Sequence, residues 1–328
     1  MGQPLDLLPP EIVGRVAPSP TGAQHLGNAR TYLLAWLAAR VRRGRIILRI
    51  EDLDTPRTKP AATQQAIDDL RWLGLDWDEG PDCGGPNHPY VQSARLSSYE
   101  AALRNVIERG LCYPCTCSRS EVAAAASAPH ETIEGPRYPG TCAGWRLGDP
   151  LPDQDYCWRF RSSDRTLVFE DRIAGRQVCS PAKTLGDWVI ARRDGNPSYQ
   201  LAVVVDDLAM GINQVVRGAD LIPSTFRQLD LMSALGTTPA IEYWHPPLVV
   251  GSDGRRLAKR HGDTRLANYR AAGCPPQRIV GWAAWTAGLI EDWEDCRPEE
   301  LLPRFEFARI VRAPTVLLPE HEARFQTP

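Results

Sequence analysis

Residues 11–52 constrain the fold more than any other part of the chain. "EIVGRVAP" (11–18) is an apolar run that stops at Pro18, because proline cannot continue the donor side of a ladder. "SPTG" (19–22) supplies turn chemistry. "LGNARTYLLAWLAARVRR" (26–43) then places Leu26, Ala29, Leu33, Leu37 and Val41 at three- and four-residue steps, which predicts a helix. Gly44 ends it, and "RIILRIED" (45–52) returns to an apolar strand. Strand, turn, helix and strand in about forty residues make a βαβ unit with a right-handed crossover. The fold class that follows is doubly wound α/β with a parallel sheet, and a ligand is expected beyond the carboxyl ends of its strands.

The rest of the chain is patterned more weakly. Residues 58–75 and 93–111 read as helices, while 112–157 is rich in cysteine, proline and glycine and reads as an insertion. Strand-like runs return at 166–175, 187–195 and 200–211, and 224–236 reads as a helix. "PPLVVGSDGRRLAKRHG" (246–262) is a strand, a Ser-Asp-Gly turn and a basic loop, after which two or three short helices and a weak tail are expected. The 328 residues are 43% hydrophobic and 24% charged, the balance of a folded chain with a sizeable core. A net charge of −2 neither requires nor excludes nucleic acid; a binder of that kind must gather its basic residues on one face. No apolar run is long enough to span a bilayer and the start lacks a secretory pattern, so a cytoplasmic protein is expected. Nine cysteines, three of them in "CYPCTC" (112–117), suggest metal or packing before disulfides.

Three groups of residues can carry chemistry. The "SPTG" turn leads to a helix start, where free N–H groups favour phosphate, with Gly22 allowing close approach and His25 able to donate to a phosphate oxygen. A plain strand-to-helix turn with an exposed histidine fits this stretch equally well. In "RRLAKRHG", Arg256, Lys259 and Arg260 can stabilise phosphoryl charge, although a solvated basic loop is the simpler reading. Cys115, Cys117 and Cys142 can form a tetrahedral zinc site with the Tyr138 phenolate or a water as fourth ligand, and buried cysteines are the alternative.

"PSPTG…HLGN" near the start and "LAKRHG" more than two hundred residues later resemble the two signature motifs of class I aminoacyl-tRNA synthetases. "RVAPSPTG", "LRIEDLDTPR", "DLRWLGLDWDEGP", "YQLAVVVDDLAMGINQVVRGADLI" and "HPPLVVGSDGRRLAKRHG" narrow the resemblance to the glutamyl members, over about residues 12 to 275. The resemblance implies a Rossmann-like catalytic domain in two parts, 12–111 and 166–262, split by a zinc-binding insertion at 112–165. An N-terminal extension (1–11) and a short helical region (263–328) flank it. It places Arg15, Ser19, Glu51, Tyr199 and Arg217 at the glutamate, and Pro18, Gly22, His25, Gly27, Asn28, Arg256 and Lys259 at ATP, with His25 and Lys259 catalytic. An arginine fork for a carboxylate and a glutamate for an ammonium agree with those roles. It also implies one structural zinc on Cys115, Cys117, Tyr138 and Cys142, leaving Cys112 outside. Asn28 and Ala258 depart from the motifs, which have histidine and serine there; the expected effect is on rate and phosphate geometry rather than on the reaction.

About seventy residues follow Lys259, and no anticodon-binding domain is expected among them. In this the chain resembles the glutamyl-queuosine tRNA(Asp) synthetases. The implied reaction joins L-glutamate to ATP, with Mg²⁺, and passes it as glutamyl-adenylate to queuosine in tRNA(Asp). A monomer with no membrane contact is expected. A compact glutamyl-tRNA synthetase and a non-catalytic nucleotide- or tRNA-binding module are the alternatives.

Overall fold

The computed structural model describes residues 11–20, 24–53, 60–125, 136–255, 257 and 264–326. It opens with β1 (Val13–Val16), α1 (Leu26–Arg40) and β2 (Arg45–Leu48), and β1 pairs with β2 in parallel from Val13–Arg45 to Val16–Leu48. Next come α2 (Pro60–Trp72), α3 (Leu96–Glu108), β3 (Cys112–Cys115), α4 (Arg119–Ala125) and β4 (Cys157–Phe160). They are followed by β5 (Leu167–Asp171), β6 (Gly175–Cys179), α5 (Pro181–Thr184), β7 (Trp188–Ala191), α6 (Tyr199–Ala209) and β8 (Gln214–Val216). The described chain ends with α7 (Ile222–Ala234), β9 (Glu242–Trp244), β10 (Val249–Val250), α8 (Leu266–Ala271), α9 (Pro276–Thr286), α10 (Pro298–Leu301), β11 (Thr315–Val316) and α11 (Pro319–Gln326).

The central sheet has the order β2-β1-β8-β9-β5-β6. Its pairs are parallel from β2 to β5, and β6 closes the edge antiparallel. The expected all-parallel sheet is therefore mixed, because β5 and β6 form a tight hairpin, which can pair only antiparallel. Alternate residues face two cores, as the strand period of two requires. Ile46, Leu48, Val216 and Trp244 join the cluster under α1, while Ile47, Val215 and Tyr243 join Phe169 and Phe226 on the other face. A separate three-stranded sheet, β3-β4-β7, joins the ends of the cysteine-rich segment to a strand well beyond it.

Residues 200–211 were expected to be a strand and form α6 instead. "AVVVDD" carries the β-branched residues of a strand. Ser198 nevertheless caps the segment by accepting the N–H of Leu201, and Leu201, Ala202 and Val204 pack with Tyr99 and Leu231. Asp206 and Asp207 are buried as well, so no polar stripe marks the helical period. The tail is better ordered than its pattern suggests, since β11 pairs in parallel with β10. α9 lies against α1 within the same cluster. Gly281 on α9 faces the Glu294 carbonyl, and a Cβ there would come within 1.8 Å of that oxygen. No described helix is long and apolar enough to cross a membrane.

Candidate active site

A cavity of about 490 Å³ lies beyond the carboxyl ends of β1 and β8, where the topology places ligands in open α/β sheets. Arg15, Ser19, His25, Gly27, Asn28, Glu51, Tyr199 and Arg217 all line it, although they are spread over some two hundred residues of sequence. Pro18 does not line it; its carbonyl accepts the N–H of Glu51 and so ties the end of β1 to the segment after β2. Gly22, Arg256 and Lys259 lie outside the described residues.

The start of α1 explains Asn28. His25 is the N-cap: its Nδ1 accepts the N–H of Gly27 at 3.1 Å, and Asn28 Oδ1 accepts the N–H of His25 at 3.1 Å. Two donors that the first helical turn leaves over are thereby satisfied reciprocally. An imidazole whose Nδ1 accepts carries its proton on Nε2. Backbone pairing fixes the same turn from outside. Leu26 donates to the Thr264 carbonyl and Leu266 donates to that of Gln24, so the chain leaving the basic loop is stitched to the histidine turn.

Arg15, on β1, is buried, donates Nη1 to the Val216 carbonyl at 3.2 Å and has Nε 3.8 Å from Asp207. Burial lowers its pKa, and Asp207 works against that shift. Glu51 is buried beside Arg49, with an oxygen 3.0 Å from Nη2. Burial raises its carboxyl pKa, with the charges of Arg49 and Arg15 opposing. Tyr199 opens α6, and burial raises its hydroxyl pKa. Arg217 follows β8 and donates to His245 Nε2 (3.2 Å), Thr225 Oγ1 (2.7 Å) and Gln228 Oε1 (2.8 Å). Arg15, Arg217 and Glu51 thus face a single cavity, which Asp220 also lines.

The supports of these residues were not anticipated. Arg49 is fully buried between Glu51, Asp207 at 2.6 Å and Asp206 at 3.7 Å. Arg95 at 2.6 Å, Tyr99 and Gln92 also hold Asp206. The signal was present: an arginine inside "IILRI" and a pair of aspartates after "VVV" are charges where an apolar run buries everything else. Arg30 also lines the cavity, and its guanidinium joins Pro247, Thr286 and Thr315; burial lowers its pKa to about 10.

The four residues expected at zinc also converge. The sulfurs of Cys115, Cys117 and Cys142 lie within 4.8 Å of one another, and those of Cys117 and Cys142 are 3.7 Å apart. Zn–S bonds of about 2.3 Å in a tetrahedron give sulfur separations of about 3.8 Å. The Tyr138 hydroxyl is 3.3 Å from Cys115 Sγ and 3.7 Å from Cys117 Sγ. Hydrogen bonds from Cys157, Tyr138 and Arg159 bring the Cys115 thiol down to about 4, and Arg159 Nε is 3.2 Å from that sulfur. Cys112 sits apart in the core with Tyr99 and Phe160, where burial pushes its thiol up to about 12. A second cavity of about 1080 Å³ opens between this cluster and α6, sharing Tyr199 with the first and lined by Arg119, Arg192, Arg193 and Arg227.

A family model described as tRNA synthetases class I (E and Q), catalytic domain, matches residues 11–310. The chain is 50% identical over 325 residues to the glutamyl-Q tRNA(Asp) synthetase of Rhodopirellula baltica, covering 93% of this chain and 96% of that protein. It is 53% identical over 308 residues to the protein of the same name from Symbiobacterium thermophilum, covering 92% and 95%. Glutamate–tRNA ligase 2 of Syntrophus aciditrophicus is 40% identical over 300 residues, with 90% of this chain but 61% of that protein covered. The crystal structure of the glutamate-tRNA synthetase from Elizabethkingia anophelis superimposes with a TM-score of 0.80 at 29% identity, covering 96% of this chain and 70% of that one. The chain belongs to the class I tRNA synthetases of the glutamate and glutamine type, and it is a ligase of the aminoacyl-tRNA synthetase class.

Proposed function

We propose that the chain activates L-glutamate with ATP and transfers the glutamyl group to the queuosine base in the anticodon of tRNA(Asp). The observation that carries the first half is the charge pattern of the cavity. Arg15 and Arg217 match the two carboxylates of glutamate, and Glu51 matches its ammonium. The second half is supported by the relatives bearing that name, at 43–53% identity over 92–96% of their length, against 40–41% over 61–64% for the glutamate–tRNA ligases.

The α-carboxylate of glutamate attacks the α-phosphorus of ATP, which enters with Mg²⁺ as substrate. A P–O bond to the β-phosphate breaks, pyrophosphate leaves and glutamyl-adenylate forms. His25 Nε2–H and the positive end of the α1 dipole stabilise phosphate charge, and Lys259 and Arg256 neutralise the leaving pyrophosphate. A queuosine hydroxyl then attacks the glutamyl carbonyl carbon and gives up its proton, and AMP departs with the electrons of the broken C–O bond. The acceptor enters through the second cavity, whose arginines suit a phosphodiester backbone. Cys115, Cys117, Tyr138 and Cys142 hold one structural zinc, which cross-links the insertion when bound.

Pyrophosphate exchange should require glutamate and ATP but no tRNA; exchange seen only with tRNA present would overturn the activation step as written. Labelled glutamate should enter queuosine-containing tRNA(Asp) and not its unmodified transcript. Equal labelling of both, or labelling of tRNA(Glu) instead, overturns the acceptor.

A further inference from the structure

Arg217 is buried and all three of its hydrogen-bonding partners among the described residues are neutral. Its Nη1 is buried too and has no hydrogen-bond partner among the described residues. An arginine buried for structural reasons ordinarily has a carboxylate beside it. Here the place of that carboxylate is taken by His245, and the carboxylate stands one residue further back.

His245 Nδ1 is 2.6 Å from Asp171 Oδ2, and both side chains are fully buried. The other oxygen of Asp171 accepts the backbone N–H groups of Ile173 (2.9 Å), Ala174 (2.8 Å) and His245 (3.2 Å). A carboxylate can only accept, so Nδ1 must carry the ring proton and Nε2 must offer its lone pair to the Arg217 Nε–H. Thr225 adds a hydroxyl 3.1 Å from the same Nε2 while donating to the Leu221 carbonyl. Burial lowers the imidazole pKa to about 4, helped by the charges of Arg217 and Arg15 and opposed by Asp171. The ring therefore stays neutral throughout the physiological range.

We propose that Asp171 and His245 are a positioning dyad that sets substrate specificity: Asp171 fixes the tautomer of His245, and His245 aims Arg217 while leaving its charge uncompensated for the side-chain carboxylate of the substrate. This rests on the glutamate-activating reading given above. A carboxylate in the place of His245 would hold Arg217 equally well but would compete with the substrate for its charge. Glutamine, isosteric with glutamate, would leave that charge desolvated and unpaired, and this is the discrimination such a site enforces.

Asp171→Asn tests the dyad without changing shape. The three backbone N–H groups keep the amide oxygen where Oδ1 was, so the amide NH₂ faces Nδ1. The ring proton must then move to Nε2, where it opposes the Arg217 Nε–H. The KM for glutamate in pyrophosphate exchange should rise on the order of tenfold or more. The KM for ATP should stay within twofold, and inhibition by glutamine should barely change, so the preference for glutamate shrinks by the same factor. A glutamate KM within twofold of wild type overturns the dyad, and equal weakening of glutamate and glutamine overturns its role in specificity. Nitrogen-15 spectra of the six histidines in the unmodified protein provide a readout that no folding defect can affect. His245 should show a protonated Nδ1 and a bare Nε2 from pH 5.5 to 8, and the other tautomer or an imidazolium refutes the proposal. Absence of any glutamate-dependent exchange in the wild type overturns the activation reading itself, and the proposal with it.

Discussion

Replacing Arg49 by methionine tests whether the substrate pocket stands on a buried charge lattice. Methionine keeps most of the volume and removes a cation that has Asp207 at 2.6 Å, Glu51 at 3.0 Å and Asp206 at 3.7 Å. The three carboxylates are affected unequally. Asp206 keeps Arg95 at 2.6 Å and Asp207 keeps Arg15 at 3.8 Å, whereas Arg49 is the one ion-pair partner of Glu51 among the described residues. Removing one partner of a buried pair costs about 3–5 kcal/mol. With two of the three carboxylates still paired, the lower end is expected, about 3 kcal/mol, a large share of the 5–15 kcal/mol that usually holds a domain together. The substitution also acts on binding. Burial already raises the Glu51 carboxyl pKa, and Arg49 is foremost among the charges that oppose the rise. Without it the carboxyl moves further up, and the protonated form cannot pair with an ammonium. The glutamate KM at pH 7 should therefore rise on the order of tenfold, and the rise should be smaller at pH 8.5 because a higher pH favours the ionised carboxyl. Urea unfolding and exchange kinetics at the two pH values measure both effects. A stability loss under about 1 kcal/mol together with an unchanged KM would refute the lattice.

Four further outcomes follow from the geometry. Asn28→Ala removes the acceptor of the His25 N–H, so helix stability should fall by about 1 kcal/mol and exchange by up to about tenfold; Asn28→Asp keeps an acceptor, and a stability as low as that of alanine would sink the capping role. Gly281→Ala drives a Cβ to within 1.8 Å of the Glu294 carbonyl and should cost about 1–3 kcal/mol in calorimetry, with an unchanged melting temperature showing that this approach is not real. Chelation should lower the melting temperature, and Cys142→Ser should lose the zinc that Cys112→Ser keeps; metal analysis giving the reverse order would reassign the site. Because burial holds His245 near pKa 4 against 6.5 in an open chain, the unfolded state takes up that proton first, and stability falls by about 3 kcal/mol from pH 6.5 toward 4. Asp69, raised to about 6 by burial, binds its proton first in the folded state and offsets part of this loss. Asp69→Asn should therefore steepen the pH dependence of the urea midpoint, and a flatter curve would contradict the assignment.

The opening βαβ unit could be read from the sequence because three signals agree there: strand period, helix period and the Pro18 and Gly44 boundaries. α6 could not, because a helix buried on several sides with two buried aspartates shows no amphipathic stripe. β8 and β9 are three residues each, too short for a period to register, yet they form the middle of the sheet. The same limit applies to the site. Motifs and family resemblance point to side chains that face the cavity, but their supports are chosen by long-range packing. Arg49 meets Asp207 across 158 positions, and nothing local to either residue selects the partner. The departure at Asn28 is a local matter, since the residue is used within its own helical turn to cap the neighbour that lines the cavity.

Both positive ends of the cavity are held by neutral groups, and this connects the histidine turn with Arg217. An aspartate is as good an N-cap as asparagine and adds a favourable charge at the positive end of a helix. α1 has no acidic residue in its first turn and is capped by an imidazole and an amide. Arg217 is likewise held by an imidazole, a hydroxyl and an amide. In each case a carboxylate would stabilise the free protein more and would cancel the field that an incoming anion needs. Asp206 and Asp207 are set back behind Arg49, and Asp171 behind His245, whereas Glu51 and Asp220 line the cavity, Glu51 where the ammonium of glutamate is proposed to bind. The α1 end and the Arg217 end therefore keep a positive character that their own hydrogen-bond partners do not cancel. Anionic ligand groups suit both ends, and the proposed pair of ATP with an acidic amino acid brings a phosphate to the α1 end and a carboxylate to the Arg217 end.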